Sequence, residues 1–304
     1  MKNKHKNHNN INNGANLNFS AQAVIFSIMA LFLGISFFVW TVYPYAQMAS
    51  YVKKIDLAIN GEPEALTESK FVFEPYTSVQ PTIRYRFLYN LFSEYKKGVL
   101  NVKDVPLIEF AIMKMDETVK QTDHYPQQFS IMGKMYDALA DIAPNDAQRY
   151  DTLAEVYYKK AISLSPNNYN QDAKFSYSLN LTNQGRVNEA VLLMRQTVAY
   201  DTRPPEGHYY LGLALFKQGE ANYLESLNEM EYSFSHKFNP FKGLAKGMYG
   251  NFMAYFYHKK DIKNLITVVD RLALLDEAQR DTYIKLSEVM RTYNRIPIID
   301  ISSK

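Results

Sequence analysis

Cysteine is absent from all 304 residues. That excludes disulfide staples, thiolate-held metals and a cysteine nucleophile in any compartment. Catalytic signatures are absent too: there is no Gly-rich phosphate loop, no G-x-S-x-G and no H-E-x-x-H. The six histidines are scattered, and His124, His208, His236 and His258 stand apart from acidic pairs at ligand spacing. They read as surface or inter-helix residues rather than metal ligands or catalytic bases. No Lys/Arg-rich run of nucleic-acid type occurs, and the net charge is only +3. The expectation is a protein that is not an enzyme, has no cofactor, metal or catalytic residue, and binds no nucleic acid.

Acid is missing from the first twenty residues, "MKNKHKNHNNINNGANLNFS", which hold eight Asn and three Lys. Such a stretch cannot bury enough apolar surface to order itself, so 1–20 is expected to be a disordered tail. His5 and His8 within it read as solvated. Ala21 to Tyr43 carry no charge over 23 residues. At 1.5 Å per residue a helix of that length is about 34 Å long, enough to span a bilayer. Trp40, Tyr43 and Tyr45 would form an interfacial belt at its end. A buried core helix is the competing reading. The run is too long for a signal-peptide core, and "YAQMAS" is a poor cleavage site, which favours an uncleaved anchor. Lys2, Lys4 and Lys6 outweigh Lys53 and Lys54 with Asp56, which predicts a cytoplasmic N-terminus and the bulk of the chain outside. Residues 44–80 are expected to be a connector or degenerate helix pair, broken by Pro75 and Pro81.

From about 81 to 304 the pattern is helical throughout. Val187, Ala190, Val191, Met194 and Val198 recur on one helix face. Tyr177 and Leu181, like Phe175 and Leu179, lie one turn apart before them. Gly185 sits between the two runs. An interior glycine costs a helix about 1 kcal/mol relative to alanine, but a glycine beyond a helix end adopts positive φ without penalty. Gly185 is therefore an elbow between antiparallel helices. It recurs at Gly219, a separation of 34 residues. Flanking pairs are expected at 82–97 with 104–121, where Asp104 can N-cap and Pro106 sits in the first turn, and at 240–258 with 261–275, started by Asn239 and Pro240. Residues 278–294 read as a closing helix. Gly243, Gly247 and Gly250 are expected to let another helix pack closely.

A 34-residue helix–turn–helix period marks the tetratricopeptide repeat, and residues 171–236 resemble two such repeats. Leu211, Gly212, Leu215 and Gly219 fall on first-helix and elbow positions of that family. Gly185 and Ala190 match the elbow and the small residue of the second helix; the next unit departs in having Leu224 at the small position. Ala154, Tyr158, Ala161 and Pro166, with Gly133 and Tyr136 before them, match a further unit that carries an insertion at "DIAPNDAQ". The clearest units are 129–166, 171–204 and 205–236. The resemblance implies an all-α fold: a transmembrane helix followed by a solenoid of antiparallel pairs. First helices would line a concave groove for a protein or peptide. On that register Phe175, Leu179, Asn183, Tyr209, Leu213, Phe216 and Lys217 either line the groove or pack between neighbouring repeats. Phe175 and Tyr209 occupy positions where a carboxylate clamp would place polar residues, so no such clamp is expected. The implied function is a membrane-anchored interaction scaffold in the cell envelope. The order of elements also resembles the C-terminal arm of O-antigen ligase and polymerase-type membrane proteins, which would make the chain a detached arm or accessory subunit of surface-polysaccharide assembly, with aromatics against sugar.

Overall fold

The computed structural model describes residues 13–42, 46, 80–121, 125–165, 171–200, 205–238 and 242–297. Among them are twelve α-helices and no strand. The expected connector at 44–80, and with it Pro75, lies almost wholly outside the described residues, as do Pro166, Asn239, Pro240 and His124. The chain divides into two compact units, 1–123 and 124–304.

In the first unit α1 runs Asn13–Phe37 and passes into a π-helical turn, Phe38–Val42. It starts earlier than expected, inside the predicted tail. Extending a formed helix by one residue costs far less than nucleating it, so polar residues can be carried along. Among the described residues no helix is long and apolar enough to cross a membrane. The side chains described from Ala23 to Val39 are exposed and, but for Ser27 and Ser36, apolar or glycine: twelve large hydrophobics from Val24 to Val39, ten in α1 and two in the turn, are 50–71% accessible.

Helices α2 (Gln80–Lys96) and α3 (Val105–Val119) form a hairpin. Phe87, Leu88 and Leu91 are buried on one, Ile108, Ile112 and Met115 on the other. Arg84 is buried as well, with Nη1 donating to the Lys114 carbonyl at 2.6 Å and the Thr118 hydroxyl at 2.8 Å. Asp104 does not cap α3 with its side chain. Asn101 takes that role one turn earlier: its side chain accepts from the Lys103 amide, while the Asp104 carboxylate accepts from the Asn101 amide. The reciprocal pair satisfies two orphan donors, one more than a lone Asp104 cap would.

The second unit is a succession of hairpins. Helices α4 (Pro126–Ile142) and α5 (Ala147–Ser163) form the first, α6 (Gln171–Asn183) and α7 (Val187–Tyr200) the second. Helices α8 (Pro205–Gln218) and α9 (Tyr223–Ser235) form the third, α10 (Lys242–Lys259) and α11 (Ile262–Leu275) the fourth. Helix α12 (Arg280–Tyr293) packs on α11 and closes the row. Among the first helices, α6 neighbours both α4 and α8.

Gly185 has φ +77°. Its amide bonds the Thr182 carbonyl and the Arg186 amide bonds the Leu181 carbonyl, at 3.1 and 2.8 Å. That crossed pair satisfies two carbonyls the helix leaves orphaned. The same pair closes α9 at Lys237 and α10 at Lys260, both lysines with positive φ. Gly219 differs: at φ +118° it leads into a 3-10 turn, Glu220–Asn222, before α9 begins. This turn shifts the register. Ala190 follows its elbow by five residues, whereas Ser226 follows Gly219 by seven. Ser226, fully buried, is therefore the small residue of α9, and its hydroxyl donates to the Gly212 carbonyl at 2.6 Å. Leu224, expected there, is 48% exposed. The added length at "DIAPNDAQ" is a 3-10 turn, Pro144–Asp146, between two helices of 17 residues each.

Small residues set how closely the pairs approach. A Cβ on Gly133 would fall 2.7 Å from the Tyr158 ring, and one on Gly212 would fall 2.6 Å from Met230 Cγ and 3.1 Å from the Ser226 carbonyl oxygen. The stripe on α10 does not work this way. Gly243 and Gly247 are exposed, and nothing lies within 4 Å of a Cβ built on Gly247 or Gly250. The packed face of α10 is instead Ala245, Met248, Tyr249, Phe252 and Phe256, because bulk buried against the core outweighs closer backbone approach on the opposite side.

Gly212→Val should lower stability by about 2–3 kcal/mol, since the Ser226 backbone cannot yield as Met230 can. Lys260→Gly should raise it by about 0.5–1 kcal/mol by relieving a left-handed lysine. Urea denaturation of the two variants against the parent checks both.

Candidate functional site

The elbow side of the first two hairpins carries a connected set of polar side chains. Asp137 on α4 accepts from the Tyr158 hydroxyl on α5 at 2.5 Å and from Asn180 Nδ2 on α6 at 2.7 Å. Asn180 is itself buried, accepts from Gln184 at 2.8 Å, and brings its amide within 3.4 Å of Asp151. One turn along α5, Glu155 accepts from the Tyr177 hydroxyl at 2.8 Å and from Arg186 at 2.5 Å, and pairs with Lys159 at 2.6 Å. Arg186 forks onto Glu189 as well, at 2.8 and 2.7 Å.

The two carboxyls respond oppositely. Burial pushes Asp137 up to about 7; the bonds from Tyr158 and Asn180 work against this, and the charges of Asp151 and Asp141 add to it. Burial would raise Glu155 too, but hydrogen bonds from Arg186, Lys159 and Tyr177 outweigh it and hold this carboxyl at about 2. The Tyr158 hydroxyl is driven well above its ordinary value by burial and by Asp137.

Beyond Arg186 an open cleft of about 310 Å³ is lined by Gly185, Arg186, Val187, Asn188, Glu189, Lys217 and Gln218. Its floor is the elbow of the second hairpin, and its far wall is the end of α8. Gln218 Nε2 donates to Asn188 Oδ1 at 2.8 Å, tying α8 to α7. The lining offers both signs of charge and two amides, a surface suited to a polar partner. Asp137, Tyr158 and Asn180 are not among the residues that line it.

The residues expected on a concave groove are mostly inside. Phe175 is buried and stacks on Tyr210 at 5.2 Å. Tyr209 and Leu213 are buried in the core shared by the third and fourth hairpins, with Leu179 and Phe216 packed against it. Phe216 stacks on Tyr223 at 5.0 Å and meets Phe252 edge-on at 5.4 Å. Asn183 and Lys217 are exposed, and Lys217 alone of the seven reaches the cleft. Helical periodicity does not mark Asp137, Asn180 or Arg186. The available signal was Asn180, a polar residue flanked by Leu179 and Leu181 in a run otherwise suited to burial.

His208 lies between α8 and α9, with Nδ1 2.6 Å from Glu229 and its ring 3.9 Å from that of Tyr232. Among the described residues no group of three or more His, Asp or Glu side chains is placed to hold a metal ion. No protein-family model matches the chain, and no curated protein matches it.

Glu155 contributes stability that is present above the ordinary carboxylate range and lost as pH falls through about 2, because its folded value lies below its unfolded one. Glu155→Gln should therefore cost about 1–2 kcal/mol at pH 7, a deficit that narrows in denaturation curves measured toward pH 2.

Proposed function

We propose that this chain is a membrane-anchored interaction scaffold, with tetratricopeptide-like hairpins displayed on the outer side and α1 as the anchor. The observation that carries the reading is the exposed, charge-free and predominantly apolar surface of α1 and the turn after it between Val24 and Val39. A helix apolar all round belongs in a core or in lipid, and exposed apolar surface on this scale is costly in water. The described apolar side chains at 23–39 would cover about 26 Å of bilayer at 1.5 Å per residue. Lys2, Lys4 and Lys6 place the N-terminus in the cytoplasm on this reading.

The hairpin row supplies the binding part. One concavity it offers is the polar cleft at the second elbow, lined by Lys217 and Glu189 among others. A mixed-charge cleft without a deep apolar pocket suits a polar protein segment better than a small apolar ligand. Supporting the repeat assignment are the crossed hydrogen bonds at Gly185 and the close approach at Gly133 and Gly212.

Fractionation tests the anchor. The full chain should sediment with membranes and resist alkaline carbonate, while the chain lacking residues 1–43 should stay in the supernatant. Recovery of the full chain in the supernatant overturns the anchor. A photo-crosslinker at position 217 should trap a discrete protein adduct that one at exposed position 274 does not; equal trapping at both overturns the cleft as the docking point.

A further inference from the structure

The elbow between α2 and α3 shows solvent something the other elbows do not. It runs "KGVLNVKD", Lys97 to Asp104. Gly98, at φ +73°, reverses the chain, and Leu100, only 8% exposed, pins the turn to the core. Val99 and Val102 do neither: they are 43% and 64% exposed. Turns favour Gly, Pro, Asn, Asp and Ser, each for a backbone reason that valine lacks. Valine contributes to a fold by being buried, and these two are not. Among the described turns within hairpins, no other exposes a large aliphatic side chain. The charges are as uneven. Lys97 is held by Glu94 at 2.6 Å, and the Asp104 carboxylate by the Asn101 amide at 2.9 Å. Lys96 and Lys103, both exposed, flank the valines and have no acidic partner among the described residues. The tip thus presents two apolar side chains between two cations that no acid compensates.

We propose that this elbow is a second membrane contact, docking on the bilayer that α1 crosses, with Val99 and Val102 entering the headgroup region and Lys96 and Lys103 against anionic phospholipid headgroups. The inference rests on the reading of α1 as an anchor. Residues 44–79 separate that anchor from α2, a length that spans at most about 120 Å at about 3.3 Å per residue. Helix α2, with 17 residues, is about 26 Å long, so the tether lets its far end return to the bilayer. Tethering keeps the tip close to lipid, and a contact too weak to recruit a free protein then suffices. A protein partner needs about 800 Å² of matched surface on each side, more than a tip this short offers, whereas a bilayer demands no shape match. Each lysine near an anionic surface favours docking about fivefold, and high salt screens that gain. Without the tether, and in alkaline carbonate where lysine loses its charge, the contact does not retain the chain on membranes.

Because the chain has no cysteine, a single introduced one carries a nitrobenzoxadiazole fluorophore to a chosen place. The full chain is reconstituted in vesicles of equal parts phosphatidylglycerol and phosphatidylcholine that also contain a doxyl-labelled quencher lipid. A probe at Val102→Cys should be blue-shifted and quenched by that lipid, while one at Asn145→Cys, on the exposed turn between α4 and α5, should report water. In phosphatidylcholine alone, or in high salt, quenching at 102 should fall. Lys96→Gln with Lys103→Gln should lower the docked-to-free ratio about 25-fold, fivefold for each lysine, and Val99→Asn should lower it as well. A probe at Leu31→Cys reads the anchor separately. Quenching at 31 with none at 102 overturns the elbow contact and leaves the anchor standing; no quenching at 31 overturns the anchor and this inference with it. Equal quenching at 102 and 145, or quenching at 102 unchanged by the lysine pair, also overturns the contact. A blue shift at 102 without lipid quenching assigns the tip to a second copy of the chain and overturns it too.

Discussion

The last carbonyls of an α-helix have no partner within it, and a chain that reverses direction there must find them one within two residues. In this protein the recurring solution is a residue with positive φ whose amide, with that of its successor, folds back onto the helix end. Gly98 and Gly185 do this with glycine, Lys237 and Lys260 with lysine. Once the reversal is made, the second helix lies against the first, and the spacing of small residues decides how close it comes. Gly133 admits the Tyr158 ring, and Gly212 admits Met230 and the backbone at Ser226. The polar seam depends on that closeness, because Tyr158 reaches Asp137 only where α4 and α5 are drawn together.

Polar contacts between hairpins divide into two kinds. Exposed ion pairs such as Arg195–Glu225 contribute little, being screened by solvent and costly in side-chain entropy. Half-buried ones carry more consequence in either direction. Glu231 is an example with its demand met: it accepts from Tyr249 at 2.7 Å and from Arg271 at 2.7 and 3.1 Å, and so joins α9, α10 and α11 with a cation in place. Asp137 joins α4, α5 and α6 in the same manner, but both of its donors are neutral. One carboxylate thus has a cation among its donors, and the other is held by neutral donors.

The helical reading was legible because apolar spacing and glycine placement are local. Val187, Ala190, Val191 and Met194 mark one face, and Ala190, Val191 and Met194 are buried. Gly185 stood out because it falls between two apolar stripes, where a helix running on through it would lose about 1 kcal/mol relative to alanine. The candidate site was less legible. Phe175 and Tyr209 could line a groove or pack between repeats, because a rotation of a few tens of degrees about the helix axis carries a ring from the surface to the interface, and helical periodicity does not resolve it. Both rings turned inward, where burying 150–250 Å² of aromatic surface is favourable. Leu224 was misplaced because a 3-10 turn of three residues is invisible to a 3.6-residue period. Asn101 was overlooked as a cap because Asp104, nearer the helix, is an equally good capping residue by type.

By itself the sequence determined that the chain is helical, where most hairpins reverse, and that one apolar, charge-free stretch stands apart from the rest. These follow from interactions between residues a few positions apart. Only the tertiary structure decided which face of each helix turned inward, which small residue met which neighbour, and that Asp137, Tyr158 and Asn180 share one hydrogen-bonded place. Those contacts join residues 21 to 43 positions apart. Their geometry depends on helix rotation and turn length, which packing sets and local pattern does not.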